Sequence, residues 1–390
     1  MTLAAVFILV FFTVYAASCF VTCGKLFSTL FGLPYVSMMI VGAVFVLLYT
    51  LLGGFLAESA SDFMQGIVMI VALSVIVVIS TVKAGGFGAV IENAKSIPGF
   101  LEFFGLATPA LGADGAQLVE AGKPVFGEAS EYGVLKICSM LAWGLGYFGM
   151  PQVLLRFMAI RKEDELKRSR RIAMVWVIIS LAVAVFIGIV GRHLYPTVHL
   201  TATAAENIFI TLSTSFLPPV FAGFVMAGIL AATISSSDSY LLIAASAFAK
   251  NIYQGVFKKN ATDKQVMTMS RITLLVIALV AMFIALDEKS IIFNIVSFAW
   301  AGFGATFGPI MLFSLFWKRT NCPGAIAGMV GGAVMVFLWK LVISKLGGIF
   351  AIYELLPAFI FSSICIVVVS LITKAPSKEI EEDFEAVKAN

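Results

Sequence analysis

Charged residues, histidines and regularly spaced cysteines are scarce in this sequence. Asp, Glu, Lys and Arg make up only 12% of the 390 residues, whereas a soluble domain carries about 25%. The two histidines, His193 and His199, and the five cysteines lack the spacing of a metal site. Paired acids and nucleophile–base arrangements are also lacking, so nothing indicates an enzyme. A formal net charge of +4 does not call for a nucleic-acid partner.

Long apolar runs dominate instead. Hydrophobic residues form 61% of the chain and the mean hydropathy is +1.03, which predicts an all-α polytopic membrane protein. Ten runs have the length of a span, near residues 3–22, 36–56, 64–83, 134–158, 172–191, 219–248, 268–286, 291–316, 324–344 and 349–373. We expect one transmembrane domain over residues 1–373 with a long external loop at 83–132, followed by a charged tail at 374–390.

The basic residues predict the orientation of these spans. Most Lys and Arg residues lie in the connections after the fourth, sixth and eighth spans and in the C-terminal tail. Since Lys and Arg accumulate in cytoplasmic segments, these connections are expected inside the cell. We therefore expect a multi-pass protein of the cell membrane with a cytoplasmic C-terminus.

The span at residues 219–248 has a polar centre. It contains Asp238, and a carboxylate in mid-span costs on the order of 2.5–3.5 kcal/mol to insert. At helical spacing, one half of the circumference carries Ala232, Ser235, Ser236, Asp238 and Ser239. Such oxygen ligands suit a small hard cation, and our first hypothesis is a sodium site. Alternatively, the serines bond to the preceding turn or allow close packing, which does not account for Asp238.

The span at residues 142–161 is interrupted. Three glycines and Pro151 fall within eight residues, so we expect the helix to break or kink there and free backbone groups. Discontinuous helices of this kind form substrate sites in secondary transporters. Trp143 and Tyr147 are spaced four residues apart and share a face that could pack on an apolar ligand. Alternatively, these are ordinary packing residues of a membrane helix.

A third candidate is Asp62, which precedes the run at 64–83. With Gln65 it has the D-x-x-Q spacing of a capping box, and a helix start would explain an acidic residue there. The functional alternative is a carboxylate that attracts or relays a cation toward the serine face. From spacing alone we favour the cap, and the two roles are compatible.

Four segments resemble the sodium/solute symporter family, most closely its proline-transporting branch. They read LYTLLGGFLAESASDFMQG, AWGLGYFGMPQVLLRFMA, AGILAATISSSDSYLLIAASA and VSFAWAGFGATFGPIMLFSLFWKRTNCPGAIAGMVGGA. The resemblance covers essentially the whole chain. It implies a LeuT-type inverted-repeat transporter fold, with sodium and substrate near the bilayer centre and access that alternates between the two sides.

The resemblance also implies roles for individual residues. The positions that match the family's sodium ligands are the carbonyl of Ala232 and the hydroxyls of Ser235 and Ser236. Asp62 would match its acidic residue on the cytoplasmic sodium path, and we hypothesise that Asp238 and Ser239 form a further cation position with Asp62. The positions that match the substrate site are Tyr15, Trp143, Tyr147 and Pro151. Sodium is the only metal implied, as the coupling ion, and no cofactor is expected.

Full members of the family begin several helices before the position of Met1. The resemblance therefore implies a LeuT-type fold that lacks its first helices, among them the broken helix that gives carbonyls to sodium. The expected function is sodium-coupled symport of a small solute, with L-proline as the favoured solute and the lipid bilayer as surroundings. The alternatives are another solute (pantothenate, a sugar or another carboxylate), a non-transporting fragment, or a transporter-like sensor module.

Overall fold

The protein is almost entirely helical in the computed structural model, which describes residues 1–52 and 55–389. The helices are α1 (Thr2–Phe31), α2 (Tyr35–Leu52), α3 (Phe55–Lys83), α4 (Phe87–Lys95), α5 (Val134–Leu141), α6 (Trp143–Gly146), α7 (Pro151–Met158), α8 (Asp164–Leu194), α9 (Ala202–Ala205), α10 (Ile208–Phe216), α11 (Pro219–Ala247), α12 (Asp263–Ile284), α13 (Ile292–Phe316), α14 (Cys322–Leu341), α15 (Leu355–Ile372) and α16 (Lys378–Ala389). Short 3₁₀ turns cover Tyr147–Gly149, Ile343–Leu346 and Gly348–Phe350, and a π-helix continues α11 over Phe248–Phe257.

The predicted multi-pass architecture is confirmed. Within the described ranges, eight helices are long and apolar enough to cross a bilayer, and the bent unit Val134–Gly149 plus Pro151–Met158 would make nine. They coincide with nine of the predicted spans. The remaining one, 36–56, corresponds to α2, whose apolar part Tyr35–Leu51 is shorter, and residues 53 and 54 lie outside the described residues.

Helix α1 lies at the centre of the bundle. It packs against α2, α11, α12 and α13, and Phe11 and Phe12 on it are fully buried. Helix α13 approaches closely because Gly302 faces the ring of Phe11, where an added Cβ would lie 2.2 Å from a ring carbon. This packing fixes Tyr15, which follows Phe11 by one turn on the same face of α1.

The long connection predicted at 83–132 has structure of its own. It contains α4 and two antiparallel pairs of short strands, β1 (Gly105–Leu106) with β4 (Ser130–Glu131) and β2 (Val119–Glu120) with β3 (Lys123–Pro124). The backbone N–H of Gln117 donates to the carbonyl of Leu200 at 3.0 Å, which ties the connection to the segment after α8. Residues 84–133 are called the cap segment below.

The interpretation of Asp62 as a helix cap is wrong. Helix α3 begins at Phe55, so Asp62 lies about two turns inside it, where an N-cap cannot be. The D-x-x-Q spacing was misleading because the residues before it, LAESAS, are also helical. The carboxylate of Asp62 forms an ion pair with Arg156 of α7 instead.

Candidate functional site

The three predicted sodium ligands converge on one carbonyl. Helix α11 runs without interruption through this region. The hydroxyls of Ser235 and Ser236 donate to the carbonyl of Ala232 at 3.2 and 3.0 Å. Ser237 lies on the opposite side, as its helical position predicts, and donates to the carbonyl of Thr233 at 2.9 Å. Three oxygens of the kind that hard cations prefer are therefore grouped on the half-buried side of α11.

A cavity of about 390 Å³ is lined by two of these three residues, Ala232 and Ser236, but not by Ser235. It lies between α1 and α11, and its lining includes Tyr15 and Ser18 from α1 and Ala232, Ser236 and Tyr240 from α11. The ring of Tyr15 stacks on that of Tyr240 with centroids 4.1 Å apart. Tyr15, predicted to bind substrate, thus shares a cavity with Ala232 and Ser236, which were predicted to bind sodium.

Trp143 and Tyr147 form a separate aromatic cluster around Trp300 of α13. The Trp143 ring stacks on Trp300 at 5.3 Å, and Tyr147 meets the same ring edge-on at 4.8 Å. The indole N–H of Trp300 donates to the carbonyl of Trp143 at 3.0 Å. Trp300 reaches this position because Gly146 has no side chain, since an added Cβ there would lie 2.0 Å from the indole nitrogen. Sequence reasoning missed Trp300.

Tyr353 completes this cluster on the side of α15. Its ring stacks on Trp143 with centroids 5.7 Å apart, and its hydroxyl donates to the carbonyl of Ser297 at 2.7 Å. Neither Trp143 nor Tyr147 is among the residues that line the Tyr15 cavity.

The predicted helix break occurs at Pro151. The 3₁₀ turn Tyr147–Gly149 ends at Met150, whose backbone is extended, and Pro151 then starts α7 at a bend of 46°. Pro is favoured at a first helical position because its missing N–H would have no partner there. Pro151 lines a cavity of about 290 Å³ with Ile8 and Phe307, which is distinct from the Tyr15 cavity.

Asp62 and Ser239 meet through the guanidinium of Arg156. Arg156 pairs with the carboxylate of Asp62 and also donates to the hydroxyl of Ser239 at 3.3 Å. Asp238, only 1% exposed, contacts the hydroxyl of Thr50 of α2 at 2.5 Å. Sequence reasoning did not predict the place of Arg156 in this group.

A buried ion pair links the C-terminal half of α1 to the start of α13. The ammonium of Lys25 lies 2.6 Å from Glu206 and donates to the carbonyl of Ser290 at 2.7 Å. The other carboxylate oxygen of Glu206 accepts from the backbone N–H of Ile292 at 2.8 Å, so Glu206 caps α13. The sequence gives no signal for this pair, because 181 residues separate Lys25 from Glu206.

The sequence is similar to a known family of proteins and to individual members of it. The sequence profile of the sodium:solute symporter family matches residues 1–332. The high-affinity proline transporter PutP of Bacillus subtilis (strain 168) is 37% identical over 382 residues, which cover 98% of this chain and 75% of that protein. The sodium/proline symporter of Haemophilus influenzae is 39% identical over 389 residues, which cover 98% of this chain and 73% of that protein.

A solved structure shows the same fold. It is a Na⁺-coupled sialic acid symporter in a substrate-bound, outward-open state, with a TM-score of 0.71 and 17% sequence identity, and the match covers 96% of this chain and 75% of that chain. The predicted LeuT-type fold is thereby confirmed. Because the family profile matches most of its length and relatives align with nearly all of it, the chain belongs to the sodium:solute symporter family.

Proposed function

We propose that this protein is a secondary active transporter that couples the entry of sodium to that of L-proline by alternating access. One observation carries the proposal: Tyr15, Ala232 and Ser236 line a single cavity between α1 and α11. A solute and an ion that bind in one cavity can affect each other's affinity directly, which gives a simple route to coupling. Relatives named as proline transporters or sodium/proline symporters, at 36–39% identity, favour proline over pantothenate, a sugar or another carboxylate.

The ion would bind without rearrangement of α11. The hydroxyls of Ser235 and Ser236 now direct their hydrogens at the carbonyl of Ala232. On arrival of sodium, rotation of both hydroxyls would turn their lone pairs, with the carbonyl oxygen, toward the ion. Because sodium then raises the affinity for the solute, the solute must raise the affinity for sodium by the same factor. The membrane potential adds about 2.3 kcal/mol per charge per 100 mV.

Arg156 supplies a second element of the proposed ion path. Its guanidinium occupies the space between Asp62 and Ser239, where a further cation position was hypothesised. Sodium would reach Asp62 only when Arg156, whose side chain is 56% exposed, moves away. The side chain of Asp238, buried against Thr50, would adjoin this path from the side of α11.

The remaining expectations are part of the same proposal. The chain would lie in the lipid bilayer of the cell membrane with its C-terminal helix α16 in the cytoplasm and the cap segment outside. It would perform no covalent chemistry, bind no nucleic acid and need no cofactor beyond sodium as the coupling ion.

The test is uptake of radiolabelled L-proline into proteoliposomes that contain the purified chain. We expect uptake to require an inward sodium gradient and to be blocked by unlabelled proline but not by pantothenate or glucose. Ser236→Ala should raise the sodium concentration for half-maximal uptake roughly threefold to tenfold, since one polar contact is worth about 1 kcal/mol. Ser237→Ala is the matched control, because its hydroxyl bonds on the other side of α11. Uptake that does not depend on sodium would contradict the proposal. So would equal effects of Ser236→Ala and Ser237→Ala on the sodium concentration for half-maximal uptake.

A further inference from the structure

A second large cavity lies beneath the cap segment. It encloses about 570 Å³, which is within the range of about 300–1,000 Å³ that small-molecule sites occupy. Its lining is largely apolar and comes from the cap segment, the end of α8, α9 and the chain between these two helices. The apolar side chains include Phe100, Leu106, Pro109, Leu111, Phe126 and Leu200. None of the residues considered above for sodium or substrate belongs to it.

The charged group of this cavity is the guanidinium of Arg192, in the last turn of α8. Arg192 donates to the side-chain carbonyl of Gln117 and lies over the ring of Phe126, 5.5 Å from its centroid. Gln117 is held in place because its amide nitrogen donates to the carbonyl of Val125 at 2.8 Å. In the part of the chain that the structure describes, no carboxylate lies within 4.0 Å of Arg192.

A half-buried guanidinium without a counterion is unusual. Charges removed from water are paired in most proteins, since desolvation of a single charge is costly. The position of Arg192 at a helix C-terminus accounts for part of its stability but not for its contact with an open cavity. Phe126 satisfies the face of the guanidinium, and Gln117 takes one of its five donors. Among the described residues, its other four N–H donors have no hydrogen-bond acceptor.

The acidic residues of the cap segment do not neutralise this charge. They are Glu92, Glu102, Asp114, Glu120, Glu128 and Glu131. All are exposed to solvent, and none lines the cavity. Exposed charges are screened by water and salt, so Arg192 makes the interior of the cavity locally positive.

We propose that the cavity beneath the cap segment binds a small organic carboxylate, whose carboxylate pairs with Arg192 and whose apolar part lies against Phe126. An arginine fork matches a carboxylate in a bidentate manner. The apolar lining distinguishes such a ligand from an inorganic anion, which would gain nothing from Phe100 or Leu106. The inference does not depend on which solute crosses at the Tyr15 cavity.

A cysteine placed in the cavity wall tests this proposal. Ala205 lines the cavity and is exposed, so Ala205→Cys should react with thiol reagents. The full chain would carry Cys138→Ser and Cys322→Ser, because these two cysteines are exposed, and rates would be measured against the same chain with Ala205. Relative to each reagent's rate with a free thiol, we expect the anionic sulfonatoethyl methanethiosulfonate to react faster than the cationic trimethylammonioethyl methanethiosulfonate. Arg192→Gln should shift this ratio on the order of tenfold.

Ligand protection identifies the occupant. Benzoate should slow modification of Ala205→Cys, whereas benzamide, its neutral isostere, and sodium chloride at equal concentration should not. Lys123→Gln is the matched control, since Lys123 is an exposed cation of the cap segment outside the cavity, and it should leave benzoate protection unchanged. Arg192→Gln should abolish that protection.

A second variant shows whether loss of protection in Arg192→Gln comes from loss of binding or from misfolding. Gln117→Glu places a carboxylate beside Arg192 and keeps the local shape, so it should also abolish benzoate protection while the chain remains folded. Equal protection by chloride would mean an inorganic anion site and overturn the proposal. Protection that survives both variants, or equal protection by benzamide and benzoate, would likewise overturn it.

Discussion

Removal of either partner of the ion pair between Lys25 and Glu206 is expected to destabilise the folded protein by several kcal/mol. Lys25 is 7% exposed and Glu206 19%, so removal of either partner leaves a largely buried charge. Lys25→Met would leave the carboxylate with the backbone N–H groups of Ile292 and Phe293 as its partners. It would also remove the donor to the carbonyl of Ser290.

The magnitude follows from the cost of an unpaired buried charge. Loss of one partner of a buried pair costs about 3–5 kcal/mol. Because Glu206 keeps two backbone hydrogen bonds and some contact with solvent, we expect the lower end, about 3 kcal/mol. Replacement of both partners, in Lys25→Met with Glu206→Leu, should cost about 1 kcal/mol or less, since apolar pairs often substitute for buried ion pairs. The changes in the free energy of unfolding of the two single variants should therefore not add in the double variant.

The assay is reversible unfolding of the purified chain in mixed detergent micelles, followed by circular dichroism. The matched control is Lys318→Met, because the pair of Lys318 with Glu385 spans 3.8 Å between side chains 62% and 54% exposed, and such a pair contributes about 0–1 kcal/mol. If the two single variants at Lys25 and Glu206 add in the double variant to within about 0.5 kcal/mol, the two residues are not coupled and the reasoning fails.

Three further variants test other parts of the structure. Gly146→Ala should destabilise the folded protein by about 1–3 kcal/mol, because its Cβ would lie 2.0 Å from Trp300. Gly144→Ala should not destabilise it in this way, because the space around Gly144 is open. Thermal unfolding of the two variants makes the comparison. Asp238→Asn should raise the sodium concentration for half-maximal proline uptake, and unchanged sodium dependence would rule out its part in the ion path. Burial lowers the pKa of His199 from its ordinary 6.5. Its contribution to stability is therefore full above pH 6.5 and falls as the pH drops below that value. Between about pH 7.5 and pH 5, the melting temperature of His199→Gln should change less with pH than that of the wild type.

Local sequence signals predicted the membrane helices and the break in one of them. Hydropathy over about 20 residues reports a span directly, and Pro151 with the preceding glycines cannot continue a regular helix. The D-x-x-Q spacing at Asp62 failed because a capping box marks a helix start only when the residues before it are not helical. Here residues 55–61 extend α3 backward by about two turns.

The residues missed by sequence reasoning make long-range contacts. Trp300 lies 157 residues from its acceptor Trp143, Arg156 lies 94 residues from Asp62, and Arg192 lies 75 residues from Gln117. No periodicity or spacing encodes such pairs, because they depend on how whole helices pack. Gly146 gives a local indication of the contact with Trp300, since a glycine inside a helix often marks the close approach of a neighbouring element.

The serines of α11 show that back-bonding to the preceding turn does not exclude a sodium site. Back-bonding and sodium binding were considered as alternatives, and the structure has Ser235 and Ser236 bonded back to Ala232. Helical spacing groups these three oxygens on one side of α11, where Ala232 and Ser236 line the Tyr15 cavity, and hard cations prefer oxygens of this kind. Ser237 makes the same kind of bond to Thr233 but on the far side of α11. The bond type therefore does not separate a structural serine from a candidate ligand, whereas the side of the helix does.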